Sequence, residues 1–270
     1  MAYLNVDGDR RIYYEHHAGD GRAIVLIHGW GASTRFWDTT LPSLLEAGHE
    51  VVLLDVRAAG QSDNDFAEVS VDTTASDVIA LIEHTGLDKP VVNGWSAGGA
   101  IAAEVVIRLG DRASGLVLTC GATPRYSQAE GWPHGGTAEE VAGLVAGIRQ
   151  DRAAGLRGIA NAVCAPDAAV SPDLVEWMWH EFMKIGVKGD DLLVSIAEAD
   201  VREGLGALGV PALLYGGRHD AFVAYDAAKA AADLIPDARF VGCEKSGHAP
   251  FYEEPELYRE ELLAFLQKVS

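Results

Sequence analysis

The sequence predicts an α/β architecture: a mostly parallel, eight-stranded sheet with helices on both faces, interrupted once by a helical insertion. Three observations carry this expectation. Short continuous apolar runs recur, as at residues 23–28 (AIVLIH) and 51–56 (VVLLDV), and such runs fit strands buried on both faces of a sheet. Stretches of helical period separate most of them, and parallel neighbours need crossovers of that kind. Between residues 121 and 208 no convincing strand occurs; that segment is Ala- and Gly-rich and holds Trp132, Trp177 and Trp179.

Taken in order, residues 3–6 and 11–16 read as a hairpin turning at Asp7-Gly8, a pair suited to positive φ. Buried strands follow at 23–28, 51–56, 90–95 (PVVNGW), 116–120 (LVLTC), 210–216 (VPALLYG) and 238–243. A helix is expected over 34–47, opened by hydroxyl residues and stopped at Gly48. Another covers 72–85, with Val78, Ile79, Leu81 and Ile82 on one stripe and Gly86 as its stop; 97–109 and 255–268 behave similarly. The core is therefore assigned to 1–121 and 206–270, and the helical insertion to 122–205. The insertion lacks the Pro/Ser-rich or charge-run composition of a flexible tether.

Composition narrows the partners. With 49% hydrophobic and 23% charged residues in a chain of 270, a folded globular protein is expected. The 21 basic and 40 acidic residues give a formal charge of −19, a field that repels polyanions and excludes nucleic acid as a partner. Cys120, Cys164 and Cys243 are widely spaced, without C-x-x-C, and read as small buried apolar residues. No metal site and no organic cofactor are expected. No apolar run approaches the ~20 residues of a membrane span, and the first residues lack an apolar targeting segment. A cytoplasmic location without membrane association is the corresponding expectation.

Gly94-Trp95-Ser96-Ala97-Gly98 matches G-x-S-x-G and falls between a buried strand and a helix. A strand-to-helix turn that sharp forces the serine into an unfavourable backbone region and presents its hydroxyl above the sheet edge. A serine is a weak nucleophile unless an imidazole takes its proton and a carboxylate orients that imidazole, in chain order Ser, acid, His. Asp220 follows the 210–216 strand, and His248 follows the last strand, both at carboxyl ends where open α/β sheets gather their active residues. Among nine histidines, His16, His17, His49 and His84 lie on edge strands or helix ends, His134 and His180 lie in the insertion, and His219 is the nearest rival. Asp226, inside an expected helix, is the weaker substitute for the acid. The amides of Trp30 and Ala97 are candidate donors to an oxyanion; the competing reading of residues 28–29 is a simple strand-ending turn.

The segments HGWG (28–31), DVRAAGQSD (55–63), GWSAGG (94–99), GRHD (217–220) and SGHAPFYEEPE (246–256) resemble the α/β-hydrolase family. The resemblance covers nearly the whole chain and implies that 122–205 is that family's variable helical cap. Within the family, the pimeloyl carrier-protein methyl esterases and related carboxylesterases are most similar; enol-lactonases and cofactor-free haloperoxidases are also close. One departure is that Ala58 and Ala59 replace a commonly present glycine and its neighbour after Arg57. A serine at 96 separates the chain from dehalogenases and epoxide hydrolases of similar fold, which attack with an aspartate.

The resemblance implies hydrolysis of a carboxylic ester through an acyl-enzyme, with Ser96, His248 and Asp220 as triad and Trp30 and Ala97 as oxyanion hole. Trp95, Trp132 and Phe222 are the candidate substrate contacts. Trp177, Trp179 and Phe182 either line the same pocket or pack cap against core. Arg125, Arg149, Arg152 and Arg157 either pair with acidic neighbours such as Glu139, Glu140 and Asp151 or receive an acidic carrier protein. A small-molecule ester or lactone is the expected partner. Lactonase or carbon-carbon bond hydrolase on the same triad is one alternative, and a ligand receptor on the same fold is another.

Overall fold

The computed structural model describes residues 2–269. Strands β1 (Ala2–Asp7), β2 (Arg10–His17), β3 (Gly21–Ile27), β4 (His49–Leu54), β5 (Val91–Trp95), β6 (Gly115–Thr119), β7 (Ala212–Gly217) and β8 (Ala238–Cys243) form one sheet in the order β1-β2-β4-β3-β5-β6-β7-β8. The β1/β2 and β2/β4 pairs are antiparallel and all others parallel. After β3 the chain turns to β4 on one side, then crosses to β5 on the other. The carboxyl ends of β3 and β5 thus flank the point where strand order reverses, the crevice in which open α/β sheets bind ligands.

Helices α1 (Leu41–Glu46), α2 (Val71–Thr85) and α3 (Ala97–Leu109) precede β6. Ser70 opens α2 with a reciprocal cap to Thr73, and Gly86 closes it at φ 71°, which matches the stop read from the sequence. The helix expected over 34–47 is instead a single 3-10 turn at Thr34–Trp37 followed by α1. Pro42 explains the break. Without an N–H it is accommodated in a first helical turn but not in a helix interior, and the Thr34 amide is drawn away to Asp55 Oδ1 at 2.6 Å.

Between β6 and β7 lie five helices: α4 (Ala138–Gln150), α5 (Arg152–Val163), α6 (Pro172–Phe182), α7 (Asp191–Glu198) and α8 (Arg202–Gly206). This segment is tied to the loops of the sheet edge at several points. Ser33 Oγ donates to Glu181 at 2.9 Å, the Val71 amide to Ser195 Oγ at 2.9 Å, and the Gly186 amide to the Ala58 carbonyl at 3.0 Å. Helices α9 (Tyr225–Leu234), α10 (Pro250–Glu253) and α11 (Pro255–Lys268) complete the chain. No helix among the described residues is long and apolar enough to cross a membrane.

A paired polar cluster crosses the middle of the sheet. Asn93, in the middle of β5, donates to Tyr258 Oη at 2.9 Å and accepts from Thr119 Oγ1 at 3.0 Å, so the strand carries an amide without leaving it unpaired. The loop after β4 is held by Arg57, which binds Asp77 in two-pronged fashion at 2.6 and 2.7 Å and donates to the Glu68 carbonyl at 2.7 Å. Both side chains are buried. Ala58 adopts φ 61°, the left-handed region that favours glycine, at the position where the resemblance leads one to expect glycine.

Burial pushes the Asp77 carboxyl upward while the Arg57 guanidinium works against it; the ion is tolerated because its partner is there. Arg57→Met removes that partner and is expected to lower the unfolding free energy by about 3 kcal/mol or more, read as a fall in the urea midpoint. A change below about 1 kcal/mol would show that the pair is not holding the loop.

Candidate active site

The junction of β5 and α3 sets the first element of the site. Ser96 takes φ 57° and ψ −123°, a strained conformation that costs on the order of 1–3 kcal/mol and persists only where its surroundings hold it. Three hydrogen bonds do so: the Ser96 amide donates to the Thr119 carbonyl at 3.1 Å, and the Ser96 carbonyl accepts from the amides of Gly99 and Ala122 at 2.8 Å each. Glycine is required on both sides for lack of space. A Cβ on Gly94 would stand 2.0 Å from the Gly98 carbonyl oxygen, and one on Gly98 2.5 Å from the carbonyl oxygens of Ile27 and His28.

Asp220, beyond the end of β7, is anchored by its own turn: Oδ1 accepts the amides of Phe222 at 2.8 Å and Val223 at 3.0 Å. Its Oδ2 lies 2.7 Å from His248 Nδ1, with both side chains buried. A carboxylate oxygen accepts, so in the neutral imidazole the proton sits on Nδ1 and Nε2 keeps its lone pair. The His248 loop is fixed in turn. Its amide donates to the Val163 carbonyl at 2.7 Å, its carbonyl accepts from Trp95 Nε1 at 2.7 Å, and its ring sits 4.9 Å from that of Phe222. Glu253 accepts the amides of Gly247 at 2.9 Å and Ala249 at 3.1 Å, on either side of the histidine, and that of Ala165 at 2.7 Å.

Ser96 and His248 line one narrow cavity of about 50 Å³ together with Gly29, Trp30, Ala97 and Phe222. Leu144, Ile159, Val163, Phe182, Leu193 and Ile196 of α4–α7 close it from above, and no Asp, Glu, Lys or Arg lines it. The amide of Ala97 belongs to the first turn of α3, whose N–H groups have no helical acceptor. Neither it nor the Trp30 amide donates to another group among the described residues. Trp30 is held by its indole, which donates to the Gly189 carbonyl at 2.9 Å.

Of the expected substrate contacts, Trp95 and Phe222 line this cavity and Trp132 does not. Trp132 is buried elsewhere, its indole N–H donating to the Arg125 carbonyl at 3.0 Å. An aromatic in the insertion carried no signal of direction, and this one braces a loop. Phe182 lines the cavity, whereas Trp177 packs on Phe36 and Tyr252, and Trp179 stacks under Arg157. The insertion's arginines all meet carboxylates: Arg125 and Arg202 with Asp200, Arg149 and Arg152 with Asp190, Arg157 with Glu176.

Three residues near the site carry no site role in the sequence reading. His28 donates from Nδ1 to the Gly29 carbonyl at 2.7 Å and accepts the Val56 amide on Nε2 at 3.0 Å, so it fixes the turn that presents the Trp30 amide. Its place in HGWG, directly before the oxyanion-hole candidate, was the available signal. Tyr126 lines the cavity, in the loop after β6, where no periodicity marks its direction. Cys120 lies within 4.8 Å of ligating atoms of Asp220 and His248, the one such grouping with metal-like spacing among the described residues. Burial, then the Asp220 charge, push its thiol far up, and the Asp220 oxygens and His248 Nδ1 are committed to hydrogen bonds, so the cluster fits a proton relay better than a metal. All three cysteines are free and buried.

A sequence model of the alpha/beta hydrolase fold family matches residues 22–255. The chain belongs to the alpha/beta hydrolase fold family. This α/β-hydrolase is 30% identical to the AB hydrolase superfamily protein YisY of Bacillus subtilis, over 88% of this chain and 89% of that one. It is 29% identical to the pimeloyl-[acyl-carrier protein] methyl ester esterase of Klebsiella pneumoniae, covering 92% of this chain and 94% of the relative. Among solved structures, an esterase from Exiguobacterium antarcticum superposes with a TM-score of 0.93 at 28% identity, covering 98% of both chains.

In this α/β-hydrolase, burial holds the His28 imidazole below its usual pKa, against the opposing pull of Asp55, the Gly29 carbonyl and Glu181. The unfolded chain protonates this histidine near pH 6.5 while the folded one resists. The folded state's advantage is therefore complete above that value and is lost as pH falls below it. Between about pH 7.5 and about pH 5.5, the wild-type urea midpoint is expected to fall more steeply than that of His28→Gln; parallel slopes would rule out this origin.

Proposed function

We propose that the protein hydrolyses carboxylic esters of small, uncharged acyl groups through a serine acyl-enzyme. The observation that carries this reading is the 2.7 Å bond between Asp220 Oδ2 and His248 Nδ1, which leaves the basic Nε2 at a cavity that Ser96 also lines. In the proposed cycle Ser96 Oγ attacks the ester carbonyl and His248 Nε2 takes its proton. The oxyanion accepts from the amides of Trp30 and Ala97. His248 then returns the proton to the departing alkoxide, and water, deprotonated by the same nitrogen, releases the acid from the serine.

The substrate class follows from the walls. A lining without charged side chains disfavours ionic groups next to the scissile bond. A volume of about 50 Å³ is small beside the roughly 300–1,000 Å³ of common ligand clefts, which favours short acyl chains. The esterase relative and the esterase structure of the same fold support ester chemistry on this site. A small-molecule substrate and a cytoplasmic setting complete the reading.

Two substitutions test the reading. With p-nitrophenyl acetate, wild-type turnover is expected and Ser96→Ala should reduce kcat by about 10⁴-fold or more. Asp220→Asn keeps an oxygen for the Phe222 and Val223 amides but turns an NH₂ toward Nδ1; a loss of about 10³–10⁴-fold in kcat is expected. Retention of activity in Ser96→Ala would end the proposal, and tight ligand binding without turnover would point to a receptor.

A further inference from the structure

The cavity contains one polar group that the proposed cycle does not use. Among its lining side chains, N–H or O–H groups belong to Trp30, Trp95, Ser96, Tyr126 and His248. The Trp30 indole is engaged by the Gly189 carbonyl, the Trp95 indole by the His248 carbonyl, and His248 Nδ1 by Asp220. Ser96 Oγ and His248 Nε2 are the reacting pair. What remains is the Tyr126 hydroxyl, which has no hydrogen-bond partner among the described residues and is not sealed off as a buried orphan.

We propose that Tyr126 is a specificity-determining residue whose phenol donates to a second oxygen of the substrate, so that the site prefers esters bearing an ether or carbonyl oxygen on the acyl or alcohol arm. The inference rests on the ester-hydrolase reading of the same cavity. Three features support it. The loop is rigid on both sides of the residue: the Arg125 carbonyl accepts from Trp132, Arg125 pairs with Asp200, and Ser127 Oγ donates to the Ala197 carbonyl of α7. The phenol remains protonated and able to donate, because burial and then the negative charge of Asp220 push it above its ordinary value. Tyr126 bonds to no protein acceptor among the described residues, and the cavity it lines is walled largely by apolar side chains such as Leu144, Ile159 and Phe222, so an alkyl chain leaves the phenol unsatisfied while an oxygen at the same place does not.

The test uses esters matched in size, differing by oxygen for methylene. In the acyl series, methyl 3-methoxypropanoate is compared with methyl pentanoate; in the alcohol series, 2-methoxyethyl acetate is compared with butyl acetate. The ratio of kcat/KM within each pair is measured for the wild type and Tyr126→Phe, so intrinsic reactivity cancels. In at least one series the ether-to-alkyl ratio is expected to fall about tenfold in Tyr126→Phe. Unchanged ratios in both series would overturn the proposal. Binding of the same esters to Ser96→Ala and to the Ser96→Ala/Tyr126→Phe double variant, read by calorimetry, separates recognition from chemistry. If the wild type hydrolyses no ester, the hydrolase reading fails while the binding ratio still decides the role of Tyr126: a drop of that size supports it and equal ratios refute it.

Discussion

The backbone of Ser96 is the constraint on which the rest of the site depends. Its φ of 57° and ψ of −123° place a hydroxyl at the top of the sheet and, in the same stroke, start α3 with an unengaged amide at Ala97. Neither survives relaxation of the turn, because an ordinary conformation would bury the hydroxyl in the strand or tilt the helix off β3. The neighbours leave no room for that. Gly98 lies so close to the β3 carbonyls that even a methyl group is excluded, and the Ser96 carbonyl is gripped by two amides at 2.8 Å. The strain is small against the packing of two adjacent parallel strands and the helix between them.

The other members of the site are positioned by hydrogen bonds that cross between segments distant in sequence. Glu253 binds the two amides flanking His248 and the Ala165 amide just past α5, so the histidine loop and the insertion share one carboxylate. The Trp30 indole reaches Gly189, and the His248 amide reaches Val163. Helices α4–α7 are thereby registered against the loops that carry Trp30 and His248, and the cavity they close is small and walled largely by apolar side chains. In such a site, hydrogen bonds and dipoles aimed at developing charge are worth more than in water. This is the physical basis for the proposed ester chemistry without a charged substrate anchor.

Much of this arrangement was legible in the sequence because it is written in local terms. The continuous apolar runs located the six strands from β3 to β8 and the Asp7-Gly8 turn located the β1/β2 hairpin, Gly86 ended α2 where expected, and the glycines around Ser96 announced a turn that only small residues tolerate. What escaped was decided by tertiary partners. The 51–56 strand shifts to His49–Leu54, and just beyond it the Asp55 carboxylate gathers the Thr34 and Gln61 amides into the turn. The 34–47 helix breaks at Pro42, a signal present in the sequence and outweighed by the apolar pattern. Trp132 and Tyr126 lie in a loop without periodicity, where nothing local indicates which aromatic faces the cavity and which holds the loop; the structure assigns the cavity to Tyr126.

The central claim is that Ser96 becomes covalently acylated by a carbonyl whose oxygen rests on the Trp30 and Ala97 amides. Its most direct test is mass mapping of peptides after acid quenching of the enzyme during turnover of p-nitrophenyl acetate. The account predicts an acetyl group on Ser96 that disappears as the substrate is exhausted. Acetylation confined to another side chain, with Ser96 unmodified throughout turnover, would contradict it.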